Sequence, residues 1–357
     1  MKDHRDASIL GKMKHLPEEK FYAFSGMSAL SSSAKEQENG FHSEKESFME
    51  KIEKEGFIYS AIGAVFWGLS GTCSQYLFAH ASLDASWLTC VRMTGAGILL
   101  LGILFAAGFV VPQSAVPFSS RKHGIAGILF SEDLFPLILF AIAGFLLCQY
   151  SYLSAIQYSN SGTATVLQNL SIAFITLIVD IRTKTRPDRK QIFCILLALA
   201  GVFLIATNGN PAGMVISPKG LFWGMGAALG VVSYTLLSEK LVKKWGSALI
   251  SGYGFLIGGI VLCIAARVWT VRVTLDLTDI LMIAVIIVFG TVGAFTLFMQ
   301  GISRIGPVKA TLIGCLEPVT ATVLAVVWLH SVFTAADILG FICILTTVFL
   351  FTVEKSK

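Results

Sequence analysis

Ala155–Leu177 reads "AIQYSNSGTATVLQNLSIAFITL" and Gly301–Val323 reads "GISRIGPVKATLIGCLEPVTATV", two segments that begin 146 residues apart. At that offset the Ala-Thr pair at 164 falls on the pair at 310, and Leu170 falls on Leu316. In both segments a short polar loop leads into a long apolar run. The correspondence indicates an internal duplication.

The duplication extends in both directions. "LALAGVFLIAT" (197–207) aligns with "ICILTTVFLFT" (342–352), and "EGFIYSAIGAV" (55–65) aligns with "KGLFWGMGAAL" (219–229). Apolar helices resemble one another by composition, so each match alone is weak, but the matches occur in the same order. They predict two halves of five helices each, and an odd number of spans places the halves upside down relative to each other.

The composition is that of a membrane protein. The chain is 55% hydrophobic and 14% charged, with a mean hydropathy of +0.74. From Gly56 onward it divides into ten apolar segments near the ~20 residues that cross a bilayer. We therefore predict an all-α integral membrane protein of ten transmembrane helices in two inverted five-helix repeats. The predicted spans are 57–79, 87–110, 134–154, 163–181, 190–207, 219–239, 248–268, 279–300, 308–329 and 335–353.

Basic residues predict the orientation. One set of alternate loops, with the C-terminus, holds 14 Lys and Arg residues, whereas the opposite loops hold only Lys219, Arg267 and Arg272. The positive-inside rule then places both termini of a multi-pass membrane protein in the cytoplasm. Residues 1–55 are charged and Ser-rich and predict a disordered cytoplasmic tail. Met49 is an alternative start, so a gene-model extension over 1–48 remains open.

The domain prediction is thus a tail over 1–55, a first repeat over 56–208 and a second over 209–354. No metalloprotease, P-loop, nucleophile-elbow or dinucleotide-binding signature occurs, so we predict neither an enzyme nor a cofactor or metal. The seven cysteines lie in apolar segments without ligand spacing and are interpreted as core residues. The basic residues are dispersed in short loops, which argues against nucleic acid as a partner. The predicted partners are the lipid bilayer and a small-molecule substrate, and the oligomeric state is left open.

Two charges inside the spans are the strongest candidates for function. A charge at the bilayer centre costs roughly 2.5–3.5 kcal/mol on insertion scales, so such residues are functional by default. Glu317 lies near the middle of the ninth span and is interpreted as binding a substrate amine or a proton; a structural hydrogen bond to a neighbouring helix is the alternative. Pro318 should break that helix by removing a bond to the Gly314 carbonyl. Arg92 extends to the headgroups, pairs with Glu317, or faces Glu317 across a zwitterionic substrate.

The duplication makes these charges asymmetric. Ser171 and Ile172 occupy the positions of Glu317 and Pro318 in the first half, and Gly254 stands opposite Arg92. Further polar and aromatic residues within spans are candidates for a binding cavity, although each alone is better explained by helix packing. The remaining candidates are Trp67, Ser70, Gln149, Tyr150, Gln168, Asn169, Tyr234 and Gln300, with Gln75, Ser233 and Tyr253 as weaker ones; Trp67 and Tyr234 are preferred.

The chain resembles the EamA-type permeases of the drug/metabolite transporter superfamily over residues 55–355. The resemblance rests on "GAVFWGLSGTCSQYL", "SWLTCVRMTGAGILLL", "AIQYSNSGTATVLQNL" and "GPVKATLIGCLEPVTATVLA". It implies a plasma-membrane carrier of amino acids, other metabolites or drugs, often an exporter, with its path between the halves. We therefore predict a metabolite exporter that works by alternating access and is coupled to protons through Glu317. The alternatives are a multidrug efflux carrier and a non-transport membrane protein such as a lipid-handling enzyme or a sensor.

Overall fold

The computed structural model describes residues 50–81, 83–108, 124–184, 189–210 and 215–354. The chain divides into two compact units, Met1–Glu55 and Gly56–Lys357. In the first unit the described residues are helical, and Glu50 pairs with Lys54 at 2.7 Å. The last six residues of the predicted tail, 50–55, are therefore helical, and the rest of the predicted tail lies outside the described residues.

Regular structure in the described ranges is helical, without a strand. The helices are α1 Glu50–His80, α2 Ala85–Ala106, α3 Leu134–Tyr158, α4 Ser161–Gln168, α5 Ser171–Thr183, α6 Arg189–Thr207, α7 Pro218–Trp245, α8 Ser247–Ala265, α9 Leu277–Ile287, α10 Ala294–Gly314, α11 Leu316–Val327 and α12 Ala335–Glu354. Local sequence starts several of them. Asn160 caps α4 through Thr163 N, and Ser217 caps α7 through Gly220 N.

Seven described helical segments are long and apolar enough to cross a membrane: α1, α2, α3, α6, α7, α8 and the segment Leu277–Ile305. The other three predicted spans correspond to α4 with α5, to α10 with α11, and to α12. The predicted all-α, ten-span class is confirmed. The boundary between the halves at 208/209 stays a prediction.

The two halves are inverted. In α2 and α8, the second helices of each half, residues 94, 97 and 101 lie against residues 259, 256 and 252, so the two run antiparallel. The fifth helices do the same: Gly201 of α6 lies against Gly340 of α12, and Thr347 donates to the Cys194 carbonyl at 3.2 Å. Equivalent helices that cross antiparallel require a pseudo-two-fold axis in the membrane plane.

Both halves carry the same irregularities. The fourth span breaks between Gln168 and Ser171, and the ninth breaks at Cys315, which is the repeat equivalent of Asn169. A π-helical segment occurs at Phe140–Leu146 in α3 and another at Val288–Gly293 between α9 and α10. Such segments occur frequently at functional sites. The break predicted before Pro318 is present, but the first half breaks without a proline.

One predicted loop is helical. The sequence predicts a loop at 301–307, whereas α10 runs through Gly314. The neighbours of α1 show where the chain turns: Gly56, Gly63 and Gly68 lie against residues 305, 298 and 317 respectively. Residues 298 and 305 run antiparallel to α1, whereas residue 317 lies beside residue 68, so the chain reverses direction between residues 305 and 317 although most of that stretch has helical backbone hydrogen bonding. The eighth and ninth spans are therefore antiparallel, as the ten-span topology requires.

The cysteine interpretation needs one correction. Cys90 of α2 and Cys263 of α8 form a disulfide, with Cα atoms 5.5 Å apart. Cys73 and Cys148 are buried core residues, as expected. The pair could not be read from spacing because 173 residues separate its members, and close packing of α2 on α8 brings them together.

Candidate functional site

A cavity of about 330 Å³ lies between the two halves, and it is lined by residues of α1 to α5, α7, α8, α10 and α11 and of the π segment between α9 and α10. Both irregular regions of each half contribute: Phe145 and Thr291 from the π segments, and Gln168 and Gly314 from the helix breaks. The other lining residues are Trp67, Arg92, Cys148, Gln149, Tyr152, Asn169, Ser171, Ile172, Ile175, Val231, Tyr234, Thr235, Phe255, Phe295, Phe298 and Glu317.

The lining follows the internal repeat. At the 146-residue offset, Phe145 matches Thr291, Gln149 matches Phe295, Tyr152 matches Phe298, and Gln168 matches Gly314; Ser171 matches Glu317. Each of these positions faces the cavity in both halves. The duplicated backbone thus forms a symmetric chamber, and the side chains make it chemically asymmetric.

Arg92 is buried within this chamber, with 4% of its surface exposed. Its Nε donates to Thr291 Oγ1 at 3.0 Å, and Thr291, in the π segment, donates in turn to the Ile286 carbonyl of α9 at 2.8 Å. The Arg92 Nη1 atom is buried and has no hydrogen-bond partner among the described residues. The guanidinium is therefore held by one edge and does not extend to the headgroups.

Glu317 lines the same cavity from the first turn of α11. The break at Cys315 places Glu317 in the first turn of α11, where the helix dipole favours a carboxylate. In the described part of the chain, Glu317 and Arg92 form no ion pair within 4 Å. The cavity therefore presents a cation and an anion that are not satisfied by each other.

Polar contacts fix several other lining side chains. Tyr152 Oη and Thr165 Oγ1 are 2.9 Å apart, and Gln168 Nε2 donates to Cys148 Sγ at 3.3 Å. Asn169 Nδ2 donates to the Thr165 carbonyl at 3.0 Å. The same carbonyl also accepts from Asn169 N at 3.2 Å, so the Asn169 side chain adds a second bond at the last turn of α4.

Aromatic rings form the apolar part of the wall. Phe145 packs on Phe255 with ring centroids 4.7 Å apart and on Tyr234 at 5.4 Å. Trp67 packs on Phe298 at 4.8 Å. The preferred candidates Trp67 and Tyr234 therefore both belong to the cavity, and their rings are held by other aromatic residues.

Eight of the twelve predicted site residues line the cavity: Trp67, Arg92, Gln149, Gln168, Asn169, Tyr234, Gly314 and Glu317. Pro318, Ser70, Tyr150 and Gln300 do not. Pro318 is buried in α11 beyond the break, and Ser70 is buried against Gly290. Tyr150 packs edge-on against Trp223 at 5.1 Å, and Gln300 lines a separate space of about 220 Å³.

Two of the weaker candidates also have structural roles. Gln75 accepts from Ser161 N at 2.8 Å and donates to Ser331 Oγ at 3.0 Å, so it joins three segments. Tyr253 is buried in a hydrophobic cluster with Trp245. Each predicted residue that lies away from the cavity is still on a helix that lines it or adjoins it, but on another face of that helix.

Sequence reasoning missed Tyr152, Thr291 and the phenylalanines. Tyr152 and Phe298 occupy matching repeat positions, so alignment of the halves could have signalled them as a pair. No local signal marks Thr291 as the partner of Arg92, because 199 residues separate them. No group of three His, Cys, Asp or Glu side chains that could hold a metal occurs in the described ranges.

Comparison with known proteins agrees with this architecture. The profile of the EamA-like transporter family matches residues 54–207 and again 218–353. The chain is 31% identical to the uncharacterized inner membrane transporter YicL of Salmonella typhimurium, over 85% of this chain and 97% of that protein. It is 24% identical to the uncharacterized transporter YwfM of Bacillus subtilis, over 80% and 90%. A solved crystal structure with 16% sequence identity covers 86% of this chain and 97% of its own at a TM-score of 0.52, which is a likeness of fold.

Proposed function

The chain belongs to the EamA-like transporter family, and from that premise we propose that it exports a small organic metabolite, an amino acid or a related compound, across the plasma membrane. The observation that supports this most is the cavity between inverted repeats, lined at matching positions by both halves. Exchange between two nearly equivalent conformations of such repeats exposes a central site to either side in turn.

The orientation is part of the proposal. The loops rich in Lys and Arg are placed in the cytoplasm, and with them both termini. Substrate then enters the cavity from the cytoplasmic side and leaves on the opposite side. The proposed direction is export because the family resemblance implies it.

The size and charge of the cavity favour a metabolite over a multidrug substrate. About 330 Å³ lies at the lower end of the ~300–1,000 Å³ range of small-molecule pockets. Multidrug efflux of organic cations is the alternative that the aromatic wall and Glu317 would suit. Buried Arg92 opposes it, because a cation in the cavity would face a guanidinium whose charge no described acidic side chain neutralises.

The test of transport has two steps. An untargeted comparison of extracellular metabolites from cells lacking and overproducing the chain identifies the exported compound. Flux of that compound is then measured in proteoliposomes containing the purified full chain. Accumulation outside cells together with flux in vesicles supports the proposal. Chemical conversion of the compound without redistribution would support a membrane enzyme instead.

We further propose that Glu317 carries the coupling proton. A cavity carboxyl that makes no ion pair with the described residues can take up a proton in one conformation and release it in the other. Glu317→Gln should abolish the effect of a pH gradient on net flux while counterflow exchange between equal pH values continues. Glu239→Gln is the matched control, since Glu239 is exposed and paired with Lys243. Gradient dependence that persists in Glu317→Gln would remove proton coupling through this residue.

A further inference from the structure

We infer that Arg92 is the binding residue for a substrate carboxylate and that Thr291 is the residue that positions it. The inference deepens the proposed function and depends on it: the exported compound is a zwitterion that carries both a carboxylate and an amine. Neither the role of Arg92 nor that of Thr291 follows from membership of the family, since both rest on contacts in the described structure.

The geometry of Arg92 supports a ligand and not a packing role. A guanidinium has five N–H donors in a planar fork that matches a carboxylate. Here Thr291 uses the Nε donor, and Nη1 is buried without a partner. A buried charged donor left unsatisfied costs free energy that a bound anion would recover. The guanidinium is thus held through Nε and keeps an unsatisfied donor at the buried Nη1.

Thr291 fixes the guanidinium through the backbone. Its hydroxyl accepts from Arg92 and donates to the Ile286 carbonyl, five residues earlier, which is the spacing of the π segment Val288–Gly293. The matching position in the other half is Phe145, which cannot accept a hydrogen bond. The anchor therefore exists in one half only, opposite the half that contributes Arg92.

The second charge of the cavity restricts the ligand. Glu317 lines the same chamber without pairing with Arg92. A dianion such as phosphate would pair with the guanidinium but would be repelled by this carboxylate. A simple cation would pair with the carboxylate but would be repelled by the guanidinium. A zwitterion satisfies both groups. The aromatic wall formed by Phe145, Phe255 and Phe295 adds a surface for an apolar side chain.

Matched ligands test the carboxylate site directly. The probes are L-leucine and L-phenylalanine, their decarboxylated amines 3-methylbutylamine and 2-phenylethylamine, and the deaminated acids 4-methylpentanoate and 3-phenylpropanoate. Binding to the purified full chain in detergent is measured by isothermal titration. We expect at least one amino acid to bind, and its amine to bind at least about 30-fold more weakly, because the buried fork then stays unpaired.

Variants assign the effect to residues. Arg92→Ala should reduce amino-acid affinity to that of the amine and change amine affinity by less than about threefold. Thr291→Val should reduce the preference for the amino acid by roughly five- to tenfold, and Thr291→Ser should restore it. A merely structural Thr291 would weaken both ligands equally. Arg272→Ala, at an exposed arginine, is the control and should bind both as wild type does.

The outcomes separate this inference from the transport proposal. If no amino acid binds, or if the amine binds as well as its parent, the carboxylate assignment is overturned whatever the metabolite comparison shows. If Arg92→Ala fails to fold, Arg92→Lys and Thr291→Val give the same readout, with Thr291→Ser as the conservative control, and an unchanged ligand preference in Arg92→Lys and Thr291→Val overturns the assignment. Efflux of a compound that lacks a carboxylate would support the transport proposal but refute the inference that the substrate is a zwitterion.

Discussion

Replacing Gly97 with alanine should push apart the two helices that carry Arg92 and the disulfide. Gly97 of α2 faces the backbone of α8, and a Cβ built at Gly97 would lie 2.6 Å from Leu256 N and 2.8 Å from Leu256 Cα. Cβ atoms in proteins essentially never lie closer than 3.0 Å to such a neighbour, and separations of 3.0–3.4 Å are already tight. The obstacle is backbone, which cannot rotate away, so α2 and α8 must separate by several tenths of an ångström.

Two opposing effects determine how much Gly97→Ala changes the free energy of unfolding. Alanine favours a helix over glycine by roughly 0.5–1 kcal/mol, whereas overpacking of a close contact costs about 1–3 kcal/mol. Gly102 distinguishes helix propensity from overpacking, because it lies on the same helix and a Cβ there would contact nothing within 4 Å. Gly102→Ala should therefore be neutral or stabilising. Gly97→Ala should be less stable than Gly102→Ala by about 1–3 kcal/mol.

The assay is thermal unfolding of the purified chains in one detergent at one scan rate, since unfolding of membrane proteins is often irreversible. A stability difference of about 1–3 kcal/mol corresponds to an apparent unfolding temperature roughly 2–12 °C lower for Gly97→Ala than for Gly102→Ala. Transport should fall as well, because Arg92 is five residues from the displaced contact and its bond to Thr291 depends on the position of α2.

Equal unfolding temperatures for the two variants would refute the reasoning, because the close approach of α2 and α8 would then have no energetic consequence. A stable Gly97→Ala variant with lost transport would show instead that the helices part without cost and that the site alone is sensitive to their spacing.

Two further predictions concern the helices around the cavity. Gln75→Leu should destabilise the chain by about 1–3 kcal/mol in the same unfolding assay, because the amide of Ser161 at the start of α4 loses its acceptor; the exposed Gln300→Leu should change it by less than about 0.5 kcal/mol. Pro318→Ala should keep flux in proteoliposomes within about threefold of wild type, because the equivalent break after Gln168 forms without proline. A larger loss of flux would show that the second break requires Pro318.

Several features were predictable because local physics determines them. A bilayer imposes the length and hydropathy of a span, so the ten apolar segments can be recognised from hydropathy alone. A duplicated sequence of five spans per half also predicts inverted halves, and the antiparallel crossings of α2 with α8 and of α6 with α12 confirm it. Glu317 and Arg92 were identifiable because a charge within a span is costly.

Tertiary structure decided which polar residues share the cavity. Gln149, Tyr150 and Tyr152 lie within one helical turn of α3, yet Tyr150 packs against Trp223 and the other two line the chamber. Hydropathy gives the depth of a residue in the membrane but not the face it occupies, since that depends on which helices pack against it. For the same reason the sequence does not distinguish Gln75 and Gln300 from Gln168.

The sequence by itself determined a ten-span, twice-repeated membrane protein with one unduplicated acid and one unduplicated arginine, since hydropathy, repeat register and charge are all properties of position along the chain. Only the tertiary structure decided that Arg92 binds Thr291 199 residues away, that Cys90 pairs with Cys263, and that π segments and helix breaks meet at one cavity. The physical reason is that these contacts join helices of opposite halves, and their geometry is set by close packing at glycines such as Gly97.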